Sequence, residues 1–205
     1  MKKRLSDFHS NMKLYVIEEG RFKRFVILDT EKFLKFLDSK ETKIYQISKQ
    51  ENLLNPIIGS IVIEKDSKET FWTTISIAAE HGYGPLLYEI AMSDIYPNYL
   101  CPDDPSRVND DAKKIWKKFC IRKDTDKKIK SQFKKSFEVI AHPALKINAK
   151  YCLFYQYKIN KPINFKRCLV AKKYIRNVAD TQFEFEQTVS DLASNFFIKN
   201  YILPD

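Results

Sequence analysis

Two short apolar runs, Leu14–Ile17 and Phe25–Leu28, bounded by polar residues, predict two strands, Lys13–Glu18 and Arg21–Asp29, joined by a tight turn at Glu19-Gly20. A helical period follows. Phe33, Leu34, Phe36 and Leu37 share one side of a predicted helix over Glu31–Ser39, with Thr30 placed to cap it. Ile44–Ser48 reads as a short strand, and Ile57–Lys65 as a stronger one rich in β-branched residues. A polar turn at Asp66–Glu69 leads to a strand over Phe71–Ala78. Two helices follow. Leu86, Leu87, Ile90, Ala91 and Ile95 mark the first, which Pro97 ends; Ala112, Ile115, Trp116, Phe119 and Cys120 mark the second, capped by Asn109. A short strand at Tyr99–Cys101 separates them. Lys123–Lys135 reads as a loop or exposed helix, Phe137–Ile140 as a weak strand and Tyr151–Ile159 as a strong one. Phe185, Val189, Leu192, Ala193, Phe196 and Phe197 line one side of a helix over Thr181–Tyr201. This order of elements predicts an α/β or α+β sandwich.

Composition narrows the class. The 205 residues are enough for one sizeable domain, and 15 Phe with 11 Tyr imply an aromatic-rich core. No apolar run approaches the roughly 20 residues of a membrane helix, and no apolar signal region follows the basic start, so the expectation is a cytosolic protein, cellular or viral. Cys101, Cys120, Cys152 and Cys168 form no Cys-x-x-Cys pair, and His9, His81 and His142 lack metal-ligand spacing, so free thiols and no metal are expected. The net charge of +10 is unevenly spread. Lys113–Lys135 holds 11 Lys/Arg against two Asp, whereas Gly84–Asp111 holds six acids against Arg107. The basic run fits a solvated face or an anion site for nucleic acid or a phosphorylated cofactor. It lacks the recurring aromatics of a single-strand stacking platform.

The chemistry concentrates at Ala78-Ala79-Glu80-His81-Gly82-Tyr83-Gly84-Pro85-Leu86-Leu87-Tyr88, between a predicted strand and a predicted helix. A Gly-x-Gly turn there leaves the first N–H groups of the helix bare, a ready anion site. Pro85 suits the first helical position because its missing N–H would be unpaired anyway. The same glycines also permit a merely tight strand-to-helix connection.

These residues resemble the GCN5-related N-acetyltransferase (GNAT) family. That family carries a strand, a Gln/Arg-x-x-Gly-x-Gly/Ala turn, and a helix patterned Asn-x-x-Ala-x-x-Leu-Tyr after the next strand. Gly82 and Gly84 match the turn, while Asn109, Ala112 and Ile115 match the second helix. The wording is closer to a group of bacteriophage acetyltransferase-like proteins with Gly-Tyr-Gly-Pro-x-Leu-Tyr-Asp and Asp-Arg-x-x-Val-Ser-x-x-Ala-x-x-Val-Trp. Here Gly82 to Glu89, then Asp104 to Val108, Ala112 and Ile115-Trp116 stand in that order. The resemblance covers Gly59–Phe119.

The resemblance implies a mixed, splayed central sheet flanked by helices over residues 1–160; the segment 161–205, which the resemblance does not explain, is expected from its own pattern to be a helical extension packed on that domain. It implies acetyl-coenzyme A (or coenzyme A) held by backbone groups of Ser76, Ile77 and Ala78 and by the turn His81, Gly82, Tyr83, Gly84 and Pro85, with Asn109 beside it. Lysines of Lys113–Lys135 would meet the 3′-phosphate. Asp103 and Asp104 become candidates to bind or deprotonate an acceptor amine; as bare residues they equally fit a turn before proline. Three departures bear on the chemistry: Ala79 replaces the Gln/Arg that opens the turn, Pro105 replaces the phage group's Arg, and Trp116 replaces a Tyr that often protonates the departing thiolate. An indole N–H is no usable acid near neutral pH. Two readings follow: an acetyltransferase acting on an unknown amine, or an inactive protein of the same fold that binds a virion or host protein, or nucleic acid.

Overall fold

Glu19 and Phe22 pair across the two-residue turn Gly20-Arg21, and Gly20 takes φ +60°, the left-handed conformation such a turn demands. The turn closes Met12–Glu19 (β1) and Phe22–Asp29 (β2) into an antiparallel hairpin. The computed structural model of the protein describes residues 2–38, 55–66, 71–130 and 152–201. Predicted strands at Ile44–Ser48 and Phe137–Ile140 lie outside the described residues. Beyond the hairpin come Thr30–Asp38 (α1), Ile57–Lys65 (β3), Phe71–Ala79 (β4), Gly84–Asp94 (α2), Tyr99–Cys101 (β5) and Asp110–Ile121 (α3). Thr125–Ile129 (β6), Tyr155–Ile159 (β7), Lys172–Val178 (α4) and Gln182–Tyr201 (α5) complete the order.

The seven strands form one mixed sheet in the order β1-β2-β3-β4-β5-β7-β6. β4 and β5 are its parallel pair; the remaining neighbours are antiparallel. The fold is therefore α+β, a mixed sheet with helices on both faces. No helix among the described residues is long and apolar enough to cross a membrane.

Strand alternation divides the buried side chains between two cores. Leu14, Phe25, Ile27, Ile61 and Ile63 meet α2 and α3 on one face. Tyr15, Ile17, Val26, Leu28 and Ile57 meet Phe33 of α1, Ile175 of α4 and Phe185, Val189 and Ala193 of α5 on the other. Residues beyond Lys161 thus supply most of the second layer. α5 starts with a reciprocal cap: Thr181 Oγ1 accepts from the Glu184 N–H at 3.1 Å, and Glu184 Oε2 accepts from the Thr181 N–H at 3.0 Å.

Three local expectations are corrected. Asp29, not Thr30, caps α1: its Oδ1 accepts the N–H groups of Glu31 and Lys32, both at 3.1 Å. Lys123–Lys135 is neither loop nor exposed helix where it is described, because Thr125–Ile129 forms edge strand β6. Its exposed Asp126, Lys127 and Lys128 hide any apolar alternation, and such charges blunt an edge against further pairing. The segment at Tyr151–Ile159 is extended only from Tyr155.

α2 is buried almost all round, from Leu86 through Met92, so it lacks the one-sided stripe of a surface helix. Its approach to β3 is set by Gly59. A Cβ there would stand 3.0 Å from Ala79 Cβ and 3.0 Å from Leu87 Cδ1. Gly59→Ala is expected to cost about 2 kcal/mol by overpacking, read as a lower urea midpoint with unchanged slope. Phe185→Ala, which empties the centre of the second core, is expected to cost roughly 4 kcal/mol in the same measurement.

Candidate functional site

β4 pairs with β5 through only three residues: Phe71 with Tyr99, Trp72 with Leu100 and Thr73 with Cys101. Two local features end the pairing. Pro102 follows Cys101 and has no N–H to continue a ladder. On β4 the register against β3 slips, with Ile63 opposite Thr74 but Val62 opposite Ser76, which leaves Ile75 as a bulged residue. A bulge bends its strand and increases the local twist. Beyond Thr73 no strand among the described residues pairs with the outer edge of β4.

The gap is a cleft of about 290 Å³. Thr74, Ile75, Ser76 and Ile77 form its β4 wall. The segment after β5 gives the opposite wall through Asp103, Arg107, Val108 and Asn109. Tyr88 of α2 with Ala112 and Trp116 of α3 close one face, and Phe197 of α5 reaches it from the other helical layer. A larger hollow of about 570 Å³ lies at the corner of α4 and α5, lined by Phe33, Arg176, Asp180 and Phe183 among others. It gathers none of the candidate chemistry, and the smaller cleft is the better site on chemical grounds.

The structure brings together four of the residues singled out by sequence. Ser76, Ile77, Asp103 and Asn109 all line the cleft. Asp103 faces it with its side chain 26% exposed, accepts the Asp104 N–H at 2.7 Å, and stands 4.0 Å from the largely solvated Arg107 guanidinium. Asn109 combines cleft lining with capping, since its Oδ1 accepts the Ala112 N–H at 2.8 Å. Ala78 is buried in the core beneath α5.

Asp104 turns away into its own loop. Its Oδ1 accepts from the Ser106 N–H at 2.8 Å and the Ser106 hydroxyl at 2.6 Å. Those bonds, the hydroxyl first, hold its carboxyl below the usual carboxylate range. It has the character of a turn aspartate.

The Gly-x-Gly turn sits at the end of β4, beyond the cleft-lining residues. Gly82 takes φ +89°, which only glycine adopts without strain, and its carbonyl accepts the Lys3 N–H at 3.0 Å. His81 is exposed. Gly84 and Pro85 open α2, and no side chain caps that terminus. Tyr83 points inward instead: it is 4% exposed, packs edge-on to Phe8 and donates to Met12 Sδ at 3.4 Å. Burial raises its phenol pKa. The Tyr83 N–H is donated to the Glu80 carbonyl at 3.1 Å, so neither the ring nor that N–H is offered to a ligand.

Five basic residues of the run, Lys113, Lys114, Arg122, Lys127 and Lys130, are engaged locally. Lys113 and Lys114 pair with Asp110 and Asp111 one turn back, at 2.9 and 2.8 Å. Arg122 binds Asp124 and reaches the buried Glu89 of α2, which Lys2 also meets. Lys127 Nζ donates to the Cys120 carbonyl at 2.8 Å. Lys130 is 7% exposed, donates to the Pro102 carbonyl at 2.7 Å, and has its pKa lowered by burial. Lys134 and Lys135 lie outside the described residues. The four cysteines are free thiols.

Three cleft residues, Thr74, Ile75 and Phe197, escaped the sequence reading. Phe197 had a signal only as part of an apolar helix stripe. Thr74 had none, because a bulge leaves no mark in a Trp-Thr-Thr-Ile-Ser run. Thr74 is 6% exposed, and its Oγ1 has no hydrogen-bond partner among the described residues.

No protein-family model, no curated protein and no solved structure matches this chain. The function must be argued from the cleft.

The Asp104 loop predicts a pH response. A carboxyl whose folded pKa is depressed adds stability above its unfolded value, about 3.9, and loses it as pH falls through the folded pKa. Carbon-detected NMR titration is expected to place Asp104 below that value, and Ser106→Ala to move it back up. An Asp104 that titrates in Ser106→Ala as it does in the wild type would refute the bonding described.

Proposed function

We propose that the β4–β5 cleft binds an acyl-coenzyme A and that the protein is an N-acetyltransferase of GNAT-like fold, of the kind the phage motifs resemble. The observation that carries this reading is the break in β4–β5 pairing. It exposes a strand edge at the foot of a helix whose N-terminus is uncapped and preceded by a glycine of positive φ. An extended amide-bearing arm fits a bare strand edge, because its amides can take the place of the missing strand. A pyrophosphate fits the N–H groups of Gly82 and Gly84 at the start of α2, the Tyr83 N–H between them being held by the Glu80 carbonyl. Residues Ser76–Ala78 would align the arm through their backbone. Asn109 would border the ligand from the far wall.

The bound thioester would supply an electrophilic carbonyl. Asp103 is the carboxylate that the cleft offers an approaching ammonium, and it favours the cationic acceptor near the reacting position. The aromatic floor of Tyr88 and Trp116 excludes water from the same space. Their ring centroids lie 4.7 Å apart in an edge-to-face contact. The acceptor would pass one proton to Asp103 or to solvent, approach from the open side as the neutral amine and attack the carbonyl carbon. The C–N bond forms as the C–S bond breaks, the second amine proton is lost, and coenzyme A leaves as a thiolate that takes its proton from solvent.

A second reading has its own support. Trp116 is 1% exposed, donates no usable proton, and stacks on Tyr157 at 5.1 Å. Asp104 is spent on its turn. A catalytically inactive protein of this fold, acting as a virion component or as a binder of a host protein or nucleic acid, fits those two facts.

Thermal melting separates the outcomes. With acetyl-coenzyme A at about 100 times its Kd, a stabilisation of about 2.7 kcal/mol is expected, or roughly 5–10 °C for a chain of this size. No shift at millimolar cofactor would sink the acyl-coenzyme A reading. A Cβ at Gly84 meets only Ile115 Cδ1, at 3.4 Å, an ordinary contact. Gly84→Ala is therefore expected to fold normally, and Gly84→Trp to abolish the ligand-induced shift by blocking the turn. A clear shift with no acetyl transfer to a panel of polyamines and lysine peptides selects the inactive reading.

A further inference from the structure

A buried hydroxyl without a partner is a cost that the free protein carries, and such a group points to a ligand or water when it faces a cleft. Thr74 Oγ1 is that group. Among the described residues the only other buried side-chain N or O atom in this condition is Thr125 Oγ1, on the edge strand β6, away from the cleft. Thr74 lies one residue past the last β4–β5 pair and immediately before the bulged Ile75. Its hydroxyl therefore stands at the apex of the split, where the two strands begin to part.

The surroundings define what can reach it. Tyr88, Val108, Ala112 and Trp116 give the cleft an aromatic and aliphatic lining. The Asp103 carboxylate lies on the opposite wall, and the guanidinium nearest it, Arg107, is 75% exposed and 4.0 Å away. A phosphate or carboxylate pushed to the apex would meet Asp103 in a poorly hydrated space. The group that Thr74 accommodates must then be neutral, small and able to accept a hydrogen bond. A carbonyl oxygen has those properties.

We propose that Thr74 holds the carbonyl oxygen of the acyl thioester, its hydroxyl donating to that oxygen at the apex of the β4–β5 split. The inference rests on the acyl-coenzyme A reading of the cleft and adds the side chain that orients the acyl group. The bond sets the carbonyl in a fixed direction, with the Asp103 wall on the side from which an amine arrives. A hydroxyl donor at this oxygen favours any charge that gathers on it.

The test needs neither an acceptor nor turnover. Binding of acetyl-coenzyme A is compared by calorimetry with binding of S-ethyl-coenzyme A, the thioether in which CH2 replaces the carbonyl. Three proteins are compared: the wild type, Thr74→Val and Thr74→Ser. The wild type is expected to prefer the acetyl compound by about fivefold, the worth of one neutral hydrogen bond. Thr74→Val is expected to bind the two equally, and Thr74→Ser to keep most of the preference. Without ligand, Thr74→Val should melt at or above the wild-type temperature, since it removes an unsatisfied buried hydroxyl without changing the shape. A lower melting temperature of unliganded Thr74→Val would show a structural partner for the hydroxyl and overturn the proposal. Equal preference in wild type and Thr74→Val overturns it while leaving the acyl-coenzyme A reading intact. A wild type that binds neither compound removes that reading and this inference with it.

Discussion

The architecture depends on a pairing that stops early. β4 and β5 share three residue pairs and then part, because Pro102 cannot extend the ladder and Ile75 bulges out of β4. The sheet is thereby two sub-sheets, β1 to β4 and β5-β7-β6, joined along a short seam. Backbone bonding across so short a seam contributes little, and side chains must hold the halves together. Tyr88 of α2, Trp116 and Phe119 of α3 and Tyr157 of β7 form a continuous ring cluster beneath the split. Each such contact adds about 1 kcal/mol beyond its burial. The cluster that joins the sub-sheets is also the floor of the cleft, so stability and a potential binding site come from the same residues.

α2 links the split to the turn. It is buried along most of its length, lies close to β3 through the gap at Gly59, and presents Tyr88 to the cleft one turn after Gly84. A buried helix must pair its charges: Glu89 does so through Lys2 and Arg122, and Asp94 at its end through Lys23. The N-terminal segment serves the same region. Lys3 bonds the Gly82 carbonyl, while Phe8 and Met12 enclose the Tyr83 ring. The turn is thus held from behind while the N-terminus of α2 is left uncapped. On the opposite face α5 covers the sheet and lends Phe197 to the cleft, which ties the last helix to the site as well as to the core.

Much of the element order was legible because its signals are local. The β1–β2 hairpin follows from two short apolar runs and a glycine between them, α2 from Pro85 and its apolar spacing, α3 from Asn109 and the stripe ending at Cys120, and α5 from Phe185 to Phe197. The strand β6 was not legible, because an edge strand buries little and its Thr-Asp-Lys-Lys-Ile sequence carries no apolar alternation. Of the candidate site, the motif residues Ser76, Ile77, Asp103 and Asn109 meet in one cleft. Asp103 and Asp104, equivalent as neighbours in sequence, separate once the loop closes. One lines the cleft and the other binds Ser106. Tyr83 and Gly82, adjacent in the same motif, likewise divide between core and turn.

The sequence by itself determined most of the segments that are extended or helical, and where glycine and proline shape the chain. Those properties depend on residues a few positions apart. Only the tertiary structure decided that β4 and β5 neighbour one another in parallel and then diverge, that the Thr74 hydroxyl has no partner among the described residues, and that Trp116, Tyr88 and Phe197 line the same cleft. Those are contacts between elements tens of residues apart. They are set by how the two cores fill, and no short pattern in the chain encodes them.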